Sequence, residues 1–290
     1  MTYAGLGQEC DRLCFDRILV IGGMMVDSWV ISAIGGVFSG LLAGLLGIGG
    51  GTFLVPFLVA LRYTPVEAVA TSGLAILITS SAGTVQNWRM GYIDPKRVLY
   101  LGLPALLTAQ IGVFLADRSK GTPYLLLSAF GVLLLINIYL VDLRKRLTPS
   151  ASGEGTIPPP HPTRYNPATA RFLTGGLAGF LAGLFGVGGG VIMVPMQMLL
   201  LGEAIKVAIQ TSLGVVVITA ISASVGHALS QNIQYLEAIV LGLGGLVGVQ
   251  FSTRLLPKLS DKWVSRLFRI FLGGLALYVF WQAWISYANR

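Results

Sequence analysis

The sequence predicts an all-α polytopic membrane protein, a transmembrane helical bundle of two inverted-topology repeats. Each repeat is expected to hold a glycine-broken helical hairpin plus three spans. Three observations carry this reading. Hydrophobic residues make up 54% of the 290 and charged residues only 11%, against roughly 25% charged in a soluble domain. The apolar residues gather in stretches long enough to cross a bilayer, and the chain repeats itself. Mean hydropathy is +0.76. Such a composition excludes a soluble enzyme and a disordered chain. The net charge of +8 belongs to membrane-flanking loops rather than to a nucleic-acid surface.

Residues 1–27 form an N-terminal segment that mixes Glu9, Asp11, Arg12, Asp16 and Arg17 with a short apolar run, Ile18 to Val26. That run is too short to span, and no signal-peptide pattern surrounds it. The plainest expectation is a segment that is disordered or untranslated, with translation starting at Met24 or Met25. Cys10 and Cys14 are too few for a disulfide framework, and no metal or other cofactor is expected.

Repeat 1 covers 28–141 and repeat 2 covers 169–290, joined by a cytoplasmic Pro-rich linker, 142–168. The linker carries TPSASGEGTIPPPHP, a composition that cannot bury enough surface to fold. Residues 39–56 read SGLLAGLLGIGGGTFLVP and residues 178–195 read AGFLAGLFGVGGGVIMVP, identical at 11 of 18 positions. The correspondence continues through Ala70-Thr71-Ser72 and Gln210-Thr211-Ser212, then through Gln110 and Gln250. Ser28–Leu61 has 34 residues and would reach about 50 Å as one straight helix. The hydrocarbon core is roughly 30 Å thick, so the stretch must break. The break falls at GIGGG (Gly47–Gly51), and in repeat 2 at GVGGG (Gly186–Gly190), where helix-disfavouring glycines concentrate. The ordinary spans follow at 66–87, 97–116 and 121–141, then at 204–229, 235–256 and 263–285.

Loop charges select the topology. If each broken stretch turns back as a hairpin and the N-terminus is outside, 14 Lys and Arg lie in the cytoplasm and 6 outside. A single crossing by each long stretch gives 11 and 9, hardly a bias. The positive-inside rule therefore favours inverted halves, a recurrent transporter architecture.

The chemistry-bearing residues point to an anion path. Gly36, Gly40 and Gly44, with Gly175, Gly179 and Gly183, recur every four residues, as close helix packing requires. The GxGGG runs exceed that need. Their freed amides at Gly47, Gly49, Gly50 and Gly51, and at Gly186, Gly188, Gly189 and Gly190, persist at membrane depth only if they line a cavity or bind something; the alternative is a purely structural break. Each short second helix begins there, so its positive dipole end favours an anion. GIGGG lacks the Lys-Ser/Thr of a P-loop. No carboxylate is placed for a midplane cation site, which leaves Na⁺ held by backbone carbonyls as the one cation alternative. Thr71-Ser72 and Thr211-Ser212 offer hydroxyl donors, or bond back to their own helices. Gln110 and Gln250 either join helices or line the path. Asn87 and His227 occupy matching positions, and His227 is either the titratable group best placed for a coupled proton or a histidine satisfied near its helix end. No nucleophile–base set lies within the spans, so no catalytic residue and no enzyme activity are expected. Trp263, Trp281 and Trp284 suit a membrane-interface belt.

The doubled GLLAGLLGIGGG…VP and GFLAGLFGVGGG…VP, each followed by A-T-S or Q-T-S and then N-W-R-M-G-Y-I-D, resemble the TauE/SafE family of sulfite exporters and sulfonate permeases. The resemblance covers nearly all of 28–285. It implies a multi-pass inner-membrane transporter of sulfite, sulfonates or related small sulfur-containing anions. Family members often carry a histidine in a phrase like H-x-R-x-G-N-V-D. Here Asn87 stands in its place in the first half, and His227 lacks the following Asp. The expected partners are a small anion and the lipid bilayer, with homodimerisation left open.

Overall fold

The computed structural model describes residues 18–21, 24–118, 123–147 and 167–288. The untranslated or disordered reading of 1–27 thus falls largely outside the described residues, as does most of the Pro-rich linker. What is described before the bundle is a short antiparallel ribbon, β1 (Ile18–Ile21) paired with β2 (Met24–Asp27). Gly-Gly stands between them in sequence, the residue type that tight hairpin connections favour.

Ten helices follow. Repeat 1 supplies α1 (Ser28–Leu46), α2 (Gly51–Ala60), α3 (Pro65–Arg89), α4 (Pro95–Arg118) and α5 (Pro123–Leu147). Repeat 2 supplies α6 (Pro167–Phe185), α7 (Gly190–Leu200), α8 (Ile205–Leu229), α9 (Tyr235–Leu255) and α10 (Asp261–Ala288), with a short 3-10 turn, Leu256–Lys258, before the last. The helices α5 and α6 reach a few residues into the segment that composition assigns to the linker. Seven helices are long and apolar enough to cross a membrane; the protein is a multi-pass helical membrane protein.

Local signals fix several helix starts. Thr64 caps α3 through a capping box, its hydroxyl accepting from the Glu67 amide while Glu67 reaches back to the Thr64 amide, with Pro65 at the first helical position. On α10, Trp263 lies near one end and Trp281 and Trp284 near the other, all exposed. At 1.5 Å per residue they are about 27–32 Å apart, matching the thickness of a hydrocarbon core. Outward-facing Leu107, Ile111, Phe114, Leu177 and Leu277 give the bundle an apolar coat suited to lipid.

The two halves are interleaved. The first helix of each half packs on the fourth helix of the other: α1 on α9, and α6 on α4. Glycine makes this approach feasible. A Cβ at Gly36 or Gly40 would overlap the main chain of Leu241 or Gly245, and one at Gly179 or Gly183 would overlap that of Ala105 or Ala109. Within lipid no hydrophobic effect joins helices, so this backbone proximity and its dispersion contacts hold them. The central helices α3 and α8 lie side by side, with Gly73 near Ser224 and Gly83 near Leu213. These repeat mates therefore run antiparallel.

Loop contacts agree with that direction. At one end, Arg97 meets Asp94 and Glu203 at 3.2 Å each, and Lys206 meets Asp261 at 3.5 Å. Burial raises the Glu203 carboxyl above its ordinary range, opposed by Arg97 and Arg171. At the other end, Asn232 donates to Asp117 at 3.1 Å and Ser32 donates to the buried Glu237. The α3–α4 and α8–α9 connections, repeat mates, thus sit at opposite ends.

Close helix approach sets a measurable expectation. Gly40→Ala must force α1 away from α9, costing about 1–3 kcal/mol, whereas a methyl at Gly176 meets only Thr108 Cγ2 at 3.8 Å. Thermal unfolding of detergent-purified protein should show a clear loss for Gly40→Ala and none for Gly176→Ala.

Candidate functional site

The centre of the bundle is where the two helix breaks meet. Gly47, Gly49 and Gly50 take φ of 70°, 68° and 80°, and their mates Gly186, Gly188 and Gly189 take 65°, 70° and 73°. These left-handed conformations suit glycine alone at low cost. The breaks touch directly: a Cβ on Gly51 would lie 2.6 Å from the Gly186 carbonyl oxygen, and one on Gly190 would overlap that of Gly47. Ile76 of α3 and Val216 of α8, themselves repeat mates, both press on Gly49 and Gly188. Ile48 and Val187 are fully buried beside them.

Carbonyls and amides fare differently here. Ser212 donates to the Gly47 carbonyl at 2.7 Å, and its mate Ser72 donates to the Gly186 carbonyl at 3.0 Å. Ser39 donates to Gly50 at 3.2 Å and Thr219 to Gly188 at 3.1 Å. Four hydroxyls thus neutralise the electronegative side of the breaks. No main-chain hydrogen bond of ordinary geometry leaves the amides of Ile48 through Thr52 or of Val187 through Ile192 among the described residues, although Gly49–Gly50 and Gly188–Gly189 each lie in a turn. They include the free first-turn donors of α2 and α7, each helix end carrying roughly half a positive charge. With four of its carbonyls engaged by hydroxyls and two helix N-termini beginning there, the core leans electropositive without a charged side chain.

The structure separates the other sequence-derived candidates. Thr71 and Ser72 are about 100° apart around α3, so Ser72 reaches the break while Thr71 accepts from the Gln234 amide at the start of α9, at 3.1 Å. Thr211 is buried at the mate position. Gln110 lies away from the break, donating from α4 to the Ser222 carbonyl at 2.6 Å and to its hydroxyl at 2.9 Å. Gln250 lines a lateral groove of about 410 Å³ between α3 and α9, with Ser81, Gln86 and Arg89. Asn87 and His227 lie near the ends of α3 and α8, both fully buried. His227 Nε2 donates to the Gly183 carbonyl at 3.3 Å, and the Asn87 side chain has no partner among the described residues. No group of His, Cys, Asp and Glu suited to a metal occurs among the described residues.

Sequence reasoning missed several polar residues. Thr52 and Ser80 are fully buried, and their hydroxyls have no partner among the described residues; the same holds for the Thr84 and Ser224 hydroxyl oxygens. Leaving such a group unsatisfied costs about 1–3 kcal/mol. The only signal in the sequence was the spacing of Ser80, Thr84 and Asn87, which puts them on one face of α3.

A lipid-coated helical bundle with two broken helices meeting at its core defines a membrane transporter architecture. The comparisons name the family. The family model described as "Sulfite exporter TauE/SafE" matches residues 32–279, so the chain belongs to the TauE/SafE family. It is 29% identical to the probable membrane transporter protein YunE of Bacillus subtilis over 260 residues, 84% of this chain and 94% of that one. It is 27% identical to a probable membrane transporter protein of Xylella fastidiosa, covering 91% and 99%. A probable membrane transporter protein of Methanocaldococcus jannaschii is 25% identical, with 91% and 95% covered. No solved structure matches.

The pins on the break are testable. Ser72→Ala or Ser212→Ala leaves a buried glycine carbonyl without its donor, which costs about 1–3 kcal/mol. Each variant should unfold at lower temperature than wild type, and by similar amounts because the bonds are mates. Unchanged unfolding of both would remove these hydroxyls from the support of the break.

Proposed function

We propose that this chain is a secondary transporter of small sulfur-containing anions such as sulfite or organosulfonates, working by alternating access around the double glycine break. The observation that carries the reading is the meeting of two helix N-termini at the core, where hydroxyls engage four of the break's carbonyls. A small anion accepts from several main-chain N–H groups at once and gains from both helix dipoles. A cation would meet no carboxylate there, and the carbonyls of Gly47, Gly50, Gly186 and Gly188 already accept from hydroxyls. The family's description, sulfite exporter, supports the sulfur oxyanion class.

On this reading the halves are inverted in the membrane, which is the cell's plasma (inner) membrane. The antiparallel course of α3 and α8 and the grouping of loops at the two ends support inversion, as does the basic-residue bias. The binding groups are the glycine amides at Gly47, Gly49, Gly50 and Gly51 and at Gly186, Gly188, Gly189 and Gly190. Ser72 and Ser212 shape them. Thr71, Thr211, Gln110 and Gln250 flank the path, and Asn87 and His227 serve coupling, one towards each side. Rocking of one half against the other would open the site alternately.

The deciding measurement is flux of sulfite and small organosulfonates into liposomes carrying purified protein. Saturation and trans-stimulation are expected; linear, unsaturated flux would instead identify a passive anion channel. Gly50→Val and Gly189→Val should insert normally and lose transport, because a branched side chain cannot hold φ near +75°. Normal flux in both would reject the glycine site. His227→Ala should flatten the pH profile of transport, and an unchanged profile would remove it from a proton role. A cysteine placed beside Lys262 should be labelled only from the cytoplasmic side.

A further inference from the structure

We propose that the side-chain donors of the anion site come from one side of the pseudo-symmetric core, the Ser80 and Thr52 hydroxyls adding to the main-chain amides of the two breaks. The same polar stripe, through Thr84 and Asn87, is then the lane that joins this site to the α3 C-terminal end. The inference rests on the anion-transport reading and names the groups that perform it.

The two halves differ where they meet the breaks. Ser80 is fully buried and unpartnered among the described residues, and its Oγ lies 3.4 Å from where a Cβ on Gly49 would stand. Its hydroxyl therefore sits against Gly49 within the break. Thr52, in the first turn of α2, carries a second fully buried hydroxyl without a partner. The mates of these residues in repeat 2 are Ala220 and Val191, which offer no donor. At these two positions the main-chain geometry is duplicated and the side-chain donors are not, whereas Thr84 and Asn87 have polar mates in Ser224 and His227.

Beyond the break, Ile76, Ser80, Thr84 and Asn87 fall at spacings of four, four and three, one face of α3. Ile76 touches both breaks, so the stripe starts at the centre. From Ser80 to Asn87 it runs about 10 Å, most of the way from a bilayer midplane to its surface. Hydroxyl protons and the Asn87 amide can hand an anion along without a fixed charge to trap it. Unpartnered polar groups in this row are costly to a membrane fold, and a passing ligand that uses them accounts for all of them together.

The test compares Thr52→Val and Ser80→Ala with the conservative Thr52→Ser and Ser80→Thr in the full-length protein. Two readouts are taken: thermal unfolding with and without sulfite, and the KM of sulfite flux in liposomes. In the absence of anion, Thr52→Val and Ser80→Ala should unfold at or above the wild-type temperature. They should lose the sulfite-induced shift and raise KM tenfold or more, with Thr52→Ser and Ser80→Thr within about threefold of wild type. Unfolding at lower temperature without anion would make the hydroxyls structural, and an unchanged KM and shift would exclude them from the site; either overturns the proposal. If sulfite and sulfonates leave wild type unmoved while nitrate or acetate shifts it, and Thr52→Val abolishes that shift, the one-sided site stands and the sulfur-anion reading fails. If none of these anions shifts wild type, the one-sided anion site is rejected.

Discussion

Everything in this molecule answers to one constraint: a main chain cannot leave its helix at bilayer depth without finding new partners for its polar groups. Hydrocarbon offers none. The protein breaks two helices at its centre and resolves half of the resulting debt with serine and threonine hydroxyls. Those hydroxyls go to carbonyls, through Ser212, Ser72, Ser39 and Thr219. The selectivity of that choice gives the centre its sign.

The surrounding packing keeps those breaks in register. Helices α3 and α8 supply Ile76 and Val216 as a wedge against both loops, while the outer pairs α1–α9 and α4–α6 hold the broken hairpins by backbone contact. Nothing charged is needed at the core, and the described ion pairs sit at the bundle's end. Rigid support at the break and polar latches at the ends suit a device whose halves move against each other.

Much of this was legible in the chain. A doubled GxGGG inside an overlong apolar stretch admits few other readings, and glycines at intervals of four announce helix contact. Their partners were not legible, because periodicity names a face and not what lies against it. Thr71 and Ser72 show the limit most clearly. Adjacent in sequence, they look like one unit, yet helical geometry sends Ser72 to the break and Thr71 to the start of α9. Gln110 and Gln250 look equivalent as mates, but Gln110 ties α4 to α8 and Gln250 edges a groove. Thr52 and Ser80 escaped because a hydroxyl in an apolar helix ordinarily bonds back to its own turn. Only the three-dimensional arrangement shows that these two do not.

The exchange of partners between halves also sets an order in time. Helix α1 is made early, and its groove partner α9 lies some two hundred residues further along the chain. At roughly 5–20 residues per second, α1 waits about 10–40 seconds in the membrane with its glycine face uncovered. The first half is therefore an unfinished intermediate until the second arrives. A ribosome that stalls between the halves would leave an adhesive helix in the bilayer, a natural substrate for membrane quality control.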